Sequence, residues 1–142
     1  MPLLPFLTTT HYRAAALLWT IGIVIACLIP ASTLSSVQPT VGLDKLVHVV
    51  LFAGFGGLWM RALCPPEAAA ERPVLWRWTV GVFVIGIGVA VGTEVLQQVA
   101  PIRRMGDPYD VLANLLGLSL AAGGYVYIVH REAESVEQPP RM

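Results

Sequence analysis

Four stretches of this chain are apolar for long enough to cross the hydrocarbon of a bilayer, and that single feature removes most folds at once. They lie at about 14–30, 46–63, 74–99 and 111–129, against the roughly 20 residues that about 30 Å of hydrocarbon demands of a helix. In lipid an unpaired backbone N–H or C=O has no water to turn to, so a crossing segment is a helix or part of a closed barrel. Runs that are apolar on every face, rather than alternating, select the helix. The expected fold is therefore all-α, an integral membrane four-helix bundle with short loops, forming one domain over 1–142. Residues 131–142 are charged, carry Pro139 and Pro140, and are expected to form a flexible cytoplasmic tail.

With 56% hydrophobic and 13% charged residues and a formal charge of zero, the chain offers no field that would draw a polyanion, and no nucleic acid is expected as a partner. Cys27 and Cys64 lie inside or at the edge of apolar runs, without CxxC or Cys/His spacing. They read as packing residues, and no metal or other cofactor is expected from them. The first run is followed by Pro30 rather than a small-residue cleavage site, so it is expected to be kept as an anchor.

Orientation follows from the basic residues, because Lys and Arg in short loops stay on the cytoplasmic side. Arg13, Arg61, Arg72, Arg77, Arg131 and Arg141 flank one side and Lys45, Arg103 and Arg104 the other. Both termini are therefore expected inside, with Trp76 and Trp78 in the inner aromatic belt. Gly88 and Gly92 are four apart, as are Gly117 and Ala121, a spacing that lets membrane helices approach closely. Self-association through Gly88 and Gly92 is the oligomer expectation.

Against this apolar background one segment stands out, GTEVLQQVAPIRRMGDPYDVLANLLG, residues 92–117. A helix starting near Val74 rises 1.5 Å per residue, which puts Glu94 about 30 Å further on, at the outer boundary. Gln97 and Gln98 share the face of Glu94, and Pro101 ends the helix. A turn with Arg103, Arg104 and Asp107 follows. Asp110 is a candidate N-cap for the last helix, with Asn114 one turn inside on the same face. Asp44 and His48, four apart with Lys45 beside Asp44, open the second helix at the same depth. The two polar groups are expected to converge on one site.

These elements resemble the VanZ-like family of small bacterial membrane proteins, whose pattern is DKxxH, then ExxQ, R and D ahead of NxxG. Here they read DKLVH at 44–48, EVLQ at 94–97, RMGDPYD at 104–110 and NLLG at 114–117. The resemblance covers most of the region from Gly42 to about Tyr127. Two features depart from a simple match. Arg103 doubles Arg104, of which Arg104 is preferred for its six-residue step to Asp110, and Gln98 competes with Gln97. The resemblance implies a four-helix protein of the bacterial cytoplasmic membrane, in a family whose founding member is associated with low-level teicoplanin resistance. Fold likeness alone does not transfer that role.

Two readings of the polar set stay open. In the first, Lys45, Asp44, Gln97, Arg103, Arg104, Asp107 and Asn114 bind the anionic head group of a membrane lipid, a lipid-linked phosphate or a glycolipid. Glu94, His48 and Asp110 are then the candidates to move a proton. In the second, the chain is a non-enzymatic membrane protein whose polar cluster locks loops to the bundle or binds a target. Asp44, His48, Glu94, Asp107 and Asp110 include donor types that suit metals, but no HExxH spacing exists and no metal is expected. A transporter is disfavoured, because transporter sites sit near the midplane.

Overall fold

The computed structural model describes residues 8–29, 41–99 and 107–137. The helices run in the order α1 (Thr9–Leu28), α2 (Val41–Leu63), α3 (Pro66–Ala69), α4 (Arg72–Val99) and α5 (Pro108–Glu137). All but α3 are long and apolar enough to cross a membrane, and no strand occurs among the described residues. The chain is an all-α, multi-pass membrane bundle.

The helix ends follow local chemistry. At the head of α1 the Thr8 N–H donates to His11 Nδ1 at 3.2 Å, starting the helix ahead of the expected 14. α2 stops before Pro65 and Pro66, and α3 is a single turn with proline at its start, where no N–H is needed. α2 begins at Val41, ahead of the apolar run expected from 46, so Asp44, Lys45 and His48 all lie in its first turns. The expected tail is corrected in its first part: α5 continues past Arg131 as far as Glu137. Residues 138–142 lie outside the described residues.

α2 is the central element, packed most extensively on α5 and then on α1, while α4 closes against α5. The α2–α5 seam is built by small residues. A Cβ on Gly117 would run into the Val49 carbonyl and stand 2.9 Å from Ala53 N, and one on Gly56 would stand 2.8 Å from the Ala121 Cβ. Helices in lipid gain little from hydrophobic burial against each other, so such backbone proximity supplies the dispersion that holds them. Gly88 and Gly92 lie elsewhere, since a Cβ on either meets nothing within 4 Å. Phe52, Phe55, Met60, Ile23, Leu75 and Leu118 fill the core. The indole of Trp19 donates to Leu51 O at 2.8 Å and that of Trp59 to Thr20 Oγ1 at 3.1 Å, so each ring tethers α1 to α2.

Antiparallel packing gathers polar groups at both ends. At one end Arg13 Nε donates to Ala62 O at 3.4 Å, the Arg61 guanidinium lies 4.7 Å from the centre of the Tyr12 ring, and the Tyr125 hydroxyl donates to Cys64 O. At the other end the C-termini of α1 and α4 meet the N-termini of α2 and α5, and the polar cluster lies there. Cys27 and Cys64 are buried, as packing residues should be.

Candidate functional site

Asp107 starts the last helix. Its Oδ1 accepts the Tyr109 N–H at 2.9 Å and its carbonyl accepts the Asp110 N–H at 2.8 Å, while Pro108 between them has no N–H to satisfy. This corrects the assignment of the cap to Asp110. The proline favours the first helical position, which makes Asp107 the capping residue and frees the Asp110 side chain for other partners.

Those partners come from α2, more than 60 residues earlier. Lys45 Nζ donates to Asp107 Oδ2 at 2.6 Å and to Asp110 Oδ1, with Asp44 Oδ2 at 3.5 Å. His48, one turn along, places Nδ1 3.0 Å from Asn114 Oδ1 and Nε2 3.5 Å from Asp110 Oδ2. The expected convergence of the two polar segments is thus present as direct contact between α2 and α5.

Glu94 joins from α4, its Oε2 accepting the Asp107 N–H at 3.1 Å. Its other oxygen, Oε1, and the Asn114 Nδ2 are buried without a hydrogen-bond partner among the described residues. Glu94 is 6% exposed and Asn114 fully buried, so neither atom is open to bulk solvent. A buried unpaired polar group costs about 1–3 kcal/mol, and groups left so in a native fold call for a functional explanation.

The other sequence candidates fall out differently. Gln97 turns inward, 3% exposed, and donates to Cys27 O at 3.3 Å, tying α4 to the end of α1. Gln98 is exposed, so of the two glutamines Gln97 is the one that faces the bundle. Asp44 sits at the rim, with 35% of its side chain exposed. Arg103 and Arg104 lie outside the described residues. The Cys27 carbonyl is a contact that sequence reading misses, because every residue carries one.

The electrostatics follow from the same contacts. Lys45, expected to meet the carboxylates of the cluster and also considered as part of a clamp for an anion, points its ammonium at the carboxylates of Asp107 and Asp110. Among the described residues the cluster holds Asp44, Glu94, Asp107 and Asp110 against Lys45 alone. The Lys45 hydrogen bond, helped by the Tyr109 N–H, holds the Asp107 carboxyl below the usual carboxylate range. Donor atoms of Asp44, His48 and Asp110 all lie within 4.8 Å of one another, so a grouping capable of holding a cation exists where the sequence led us to expect none.

The arrangement can therefore share protons through the His48–Asp110 contact, accept hydrogen bonds at Glu94, donate one from Asn114, and hold positive charge. Comparison with known proteins adds one finding. A family model described as VanZ/LLP1 matches residues 1–130. No curated protein and no solved structure matches the chain. A match over that much of its length means that the chain belongs to the VanZ/LLP1 family.

Proposed function

We propose that this VanZ/LLP1 family member binds the polar head group of a membrane lipid at the end of the bundle where α2, α4 and α5 meet. The observation that carries this reading is the pair of buried atoms with no partner among the described residues, Glu94 Oε1 and Asn114 Nδ2. A ligand that completes them brings a donor to the first and an acceptor to the second, and a hydroxyl-bearing lipid phosphate or glycolipid offers both. Arg103 and Arg104 follow directly in the chain and supply cationic donors suited to a phosphate. The His48–Asp110 contact, at 3.5 Å, supplies a group able to take up or return a proton.

The site end faces outward in this reading, because five of the six inner arginines, Arg13, Arg61, Arg72, Arg77 and Arg131, fall at the opposite end of the helices. An outward lipid-head-group site in the bacterial cytoplasmic membrane is also the setting in which a glycopeptide-resistance phenotype would arise. Expression in a teicoplanin-sensitive host measures that directly.

The binding test uses purified protein in nanodiscs with defined lipids. Anionic phosphate and glycolipid retention by wild type is compared with Glu94→Gln, Asn114→Ala and Arg104→Ala. Selective retention, lost in at least two of these variants at unchanged helicity, is the expected result. Equal retention by wild type and all variants would leave the cluster as a lock. A specific observation favours that second reading: Lys45 and Glu94 together staple α2 and α4 to the start of α5. Loss of stability without loss of lipid binding would select it.

A further inference from the structure

We propose that Asp44, His48 and Asp110 form a binding site for a first-row divalent cation of the Mn²⁺ or Zn²⁺ type. Their donor atoms lie within 4.8 Å of one another. The closest pair, His48 Nε2 and Asp110 Oδ2, is 3.5 Å apart. Two ligands about 2.0–2.2 Å from one ion stand roughly 3–4 Å from each other, so that pair needs almost no movement. Asp44 closes the remaining distance from the rim by side-chain rotation. Among the described residues its one hydrogen bond in the cluster is the long one to Lys45, 3.5 Å.

The hydrogen-bond pattern on His48 is that of a ligand already oriented. Asn114 Oδ1 faces Nδ1 at 3.0 Å, and a histidine that donates from Nδ1 to that oxygen keeps Nε2 as its ligand atom. That leaves the Nε2 lone pair turned toward a carboxylate oxygen. Two acceptors facing across 3.5 Å repel unless something positive lies between them, either a second proton on the ring or a metal ion. Histidines that ligate metals characteristically fix the tautomer this way, through a partner on the other nitrogen.

Two observations separate this from a mere group of acids. Glu94 is 94% buried by its 6% exposure, accepts the Asp107 N–H through Oε2, and keeps Oε1 without a partner among the described residues. Asn114, fully buried, keeps Nδ2 likewise. Unmet groups beside the three donors fit an ion with further coordination positions, filled by water or ligand, that reach toward them. Lys45 holds Asp110 by Oδ1 and leaves Oδ2 to His48, so the lysine stands beside the proposed ion rather than in its place. One imidazole with two carboxylates suits manganese or zinc better than magnesium or calcium, which prefer oxygen alone.

The role of the ion rests on the lipid-binding reading above, since its open positions would take a head-group oxygen. Its binding does not, and the experiment keeps the two apart. Chelator-stripped full-length protein in detergent, with no lipid added, is titrated with Mn²⁺ followed by paramagnetic resonance and with Zn²⁺ by calorimetry. One ion per chain is expected, with affinity at least tenfold weaker in Asp44→Asn and in His48→Gln. Asp44→Asn is the decisive variant, because that residue is at the rim and its loss leaves the core packing untouched. No saturable binding up to about 1 mM, or binding that Asp44→Asn and His48→Gln both leave unchanged, would overturn the proposal. Ion binding with no lipid retention would instead refute the head-group reading and leave the cation site standing.

Discussion

Replacing Gly117 by alanine tests the α2–α5 seam and, through it, the site. A methyl at 117 would collide with the Val49 carbonyl and stand 2.9 Å from Ala53 N. Both are backbone atoms of α2, which no rotamer change can move aside, so the helices must part. Overpacking of this kind costs about 1–3 kcal/mol, offset by about 0.5–1 kcal/mol from the better helix propensity of alanine. A net loss of up to about 2.5 kcal/mol is expected. Gly88→Ala is the matched control, because its Cβ meets nothing within 4 Å, and it should gain about 0.5–1 kcal/mol by the same propensity. Unfolding in mixed micelles of rising SDS fraction, read from the fluorescence of Trp19 and Trp59, whose indoles bridge α1 and α2, measures both. Gly117 lies one turn from Asn114, so the 3.0 Å His48–Asn114 contact should lengthen too, shifting the His48 imidazole resonances in Gly117→Ala and not in Gly88→Ala. If Gly117→Ala resists SDS as well as wild type, the close approach is not what holds α2 to α5.

Lys45→Met removes the ammonium that joins Asp110, 10% exposed at its side chain, to α2. Allowing for the partial exposure of the lysine, a loss of about 2 kcal/mol is expected, and a thermal midpoint within experimental error of wild type would contradict it. Asp107 gives a pH test. Lys45 lowers its folded value, so the carboxylate is favoured in the folded state. Its contribution is present above the unfolded value of about 3.9 and fades as pH falls through the lower folded value. Thermal midpoints should accordingly drop more steeply with acid below about pH 4 in wild type than in Lys45→Met, and parallel curves would refute the linkage. For orientation, Tyr109→Cys should react with an impermeant maleimide on intact cells and Glu71→Cys should not. Tyr109 is 68% exposed, and the buried native cysteines leave the background silent; the reverse pattern would invert the bundle.

The bundle was legible in the sequence because lipid leaves so few options: a run apolar on all faces and long enough to span is a helix, whatever its neighbours do. The helix ends were less legible, and for one cause. Hydropathy treats charged residues as loop, so α2 was expected from 46, after Asp44 and Lys45, whereas it begins at Val41. Charged groups stay in a membrane helix when partners in the bundle neutralise them, and those partners, Asp107 and Asp110, sit on another helix. Small-residue spacing was equally ambiguous: Gly117/Ala121 and Gly88/Gly92 have the same form, yet only the first pair lies at a helix seam within the chain. Four-residue spacing marks a face without saying what the face meets.

The same limit explains why the sequence could group these residues by face and depth but could not give the direction in which each charge points. Asp44 and His48 at i and i+4 share a face by helical geometry alone, but the direction of Lys45 depends on how α2 is turned against α5. The structure turns the lysine onto Asp107 and Asp110, so its charge is absorbed internally, and the described part of the cluster keeps an excess of carboxylate. A ligand entering from the α2 and α5 side therefore meets acceptors first and must bring hydrogen-bond donors or a cation. An anionic group, if bound, needs positive charge beyond that of Lys45, from the arginines of the 100–106 segment or from an ion held by Asp44, His48 and Asp110. The two proposals thus converge on one physical requirement, positive charge supplied between the carboxylates and the head group. A head group that binds equally well with and without divalent cations would assign that charge to the arginines alone.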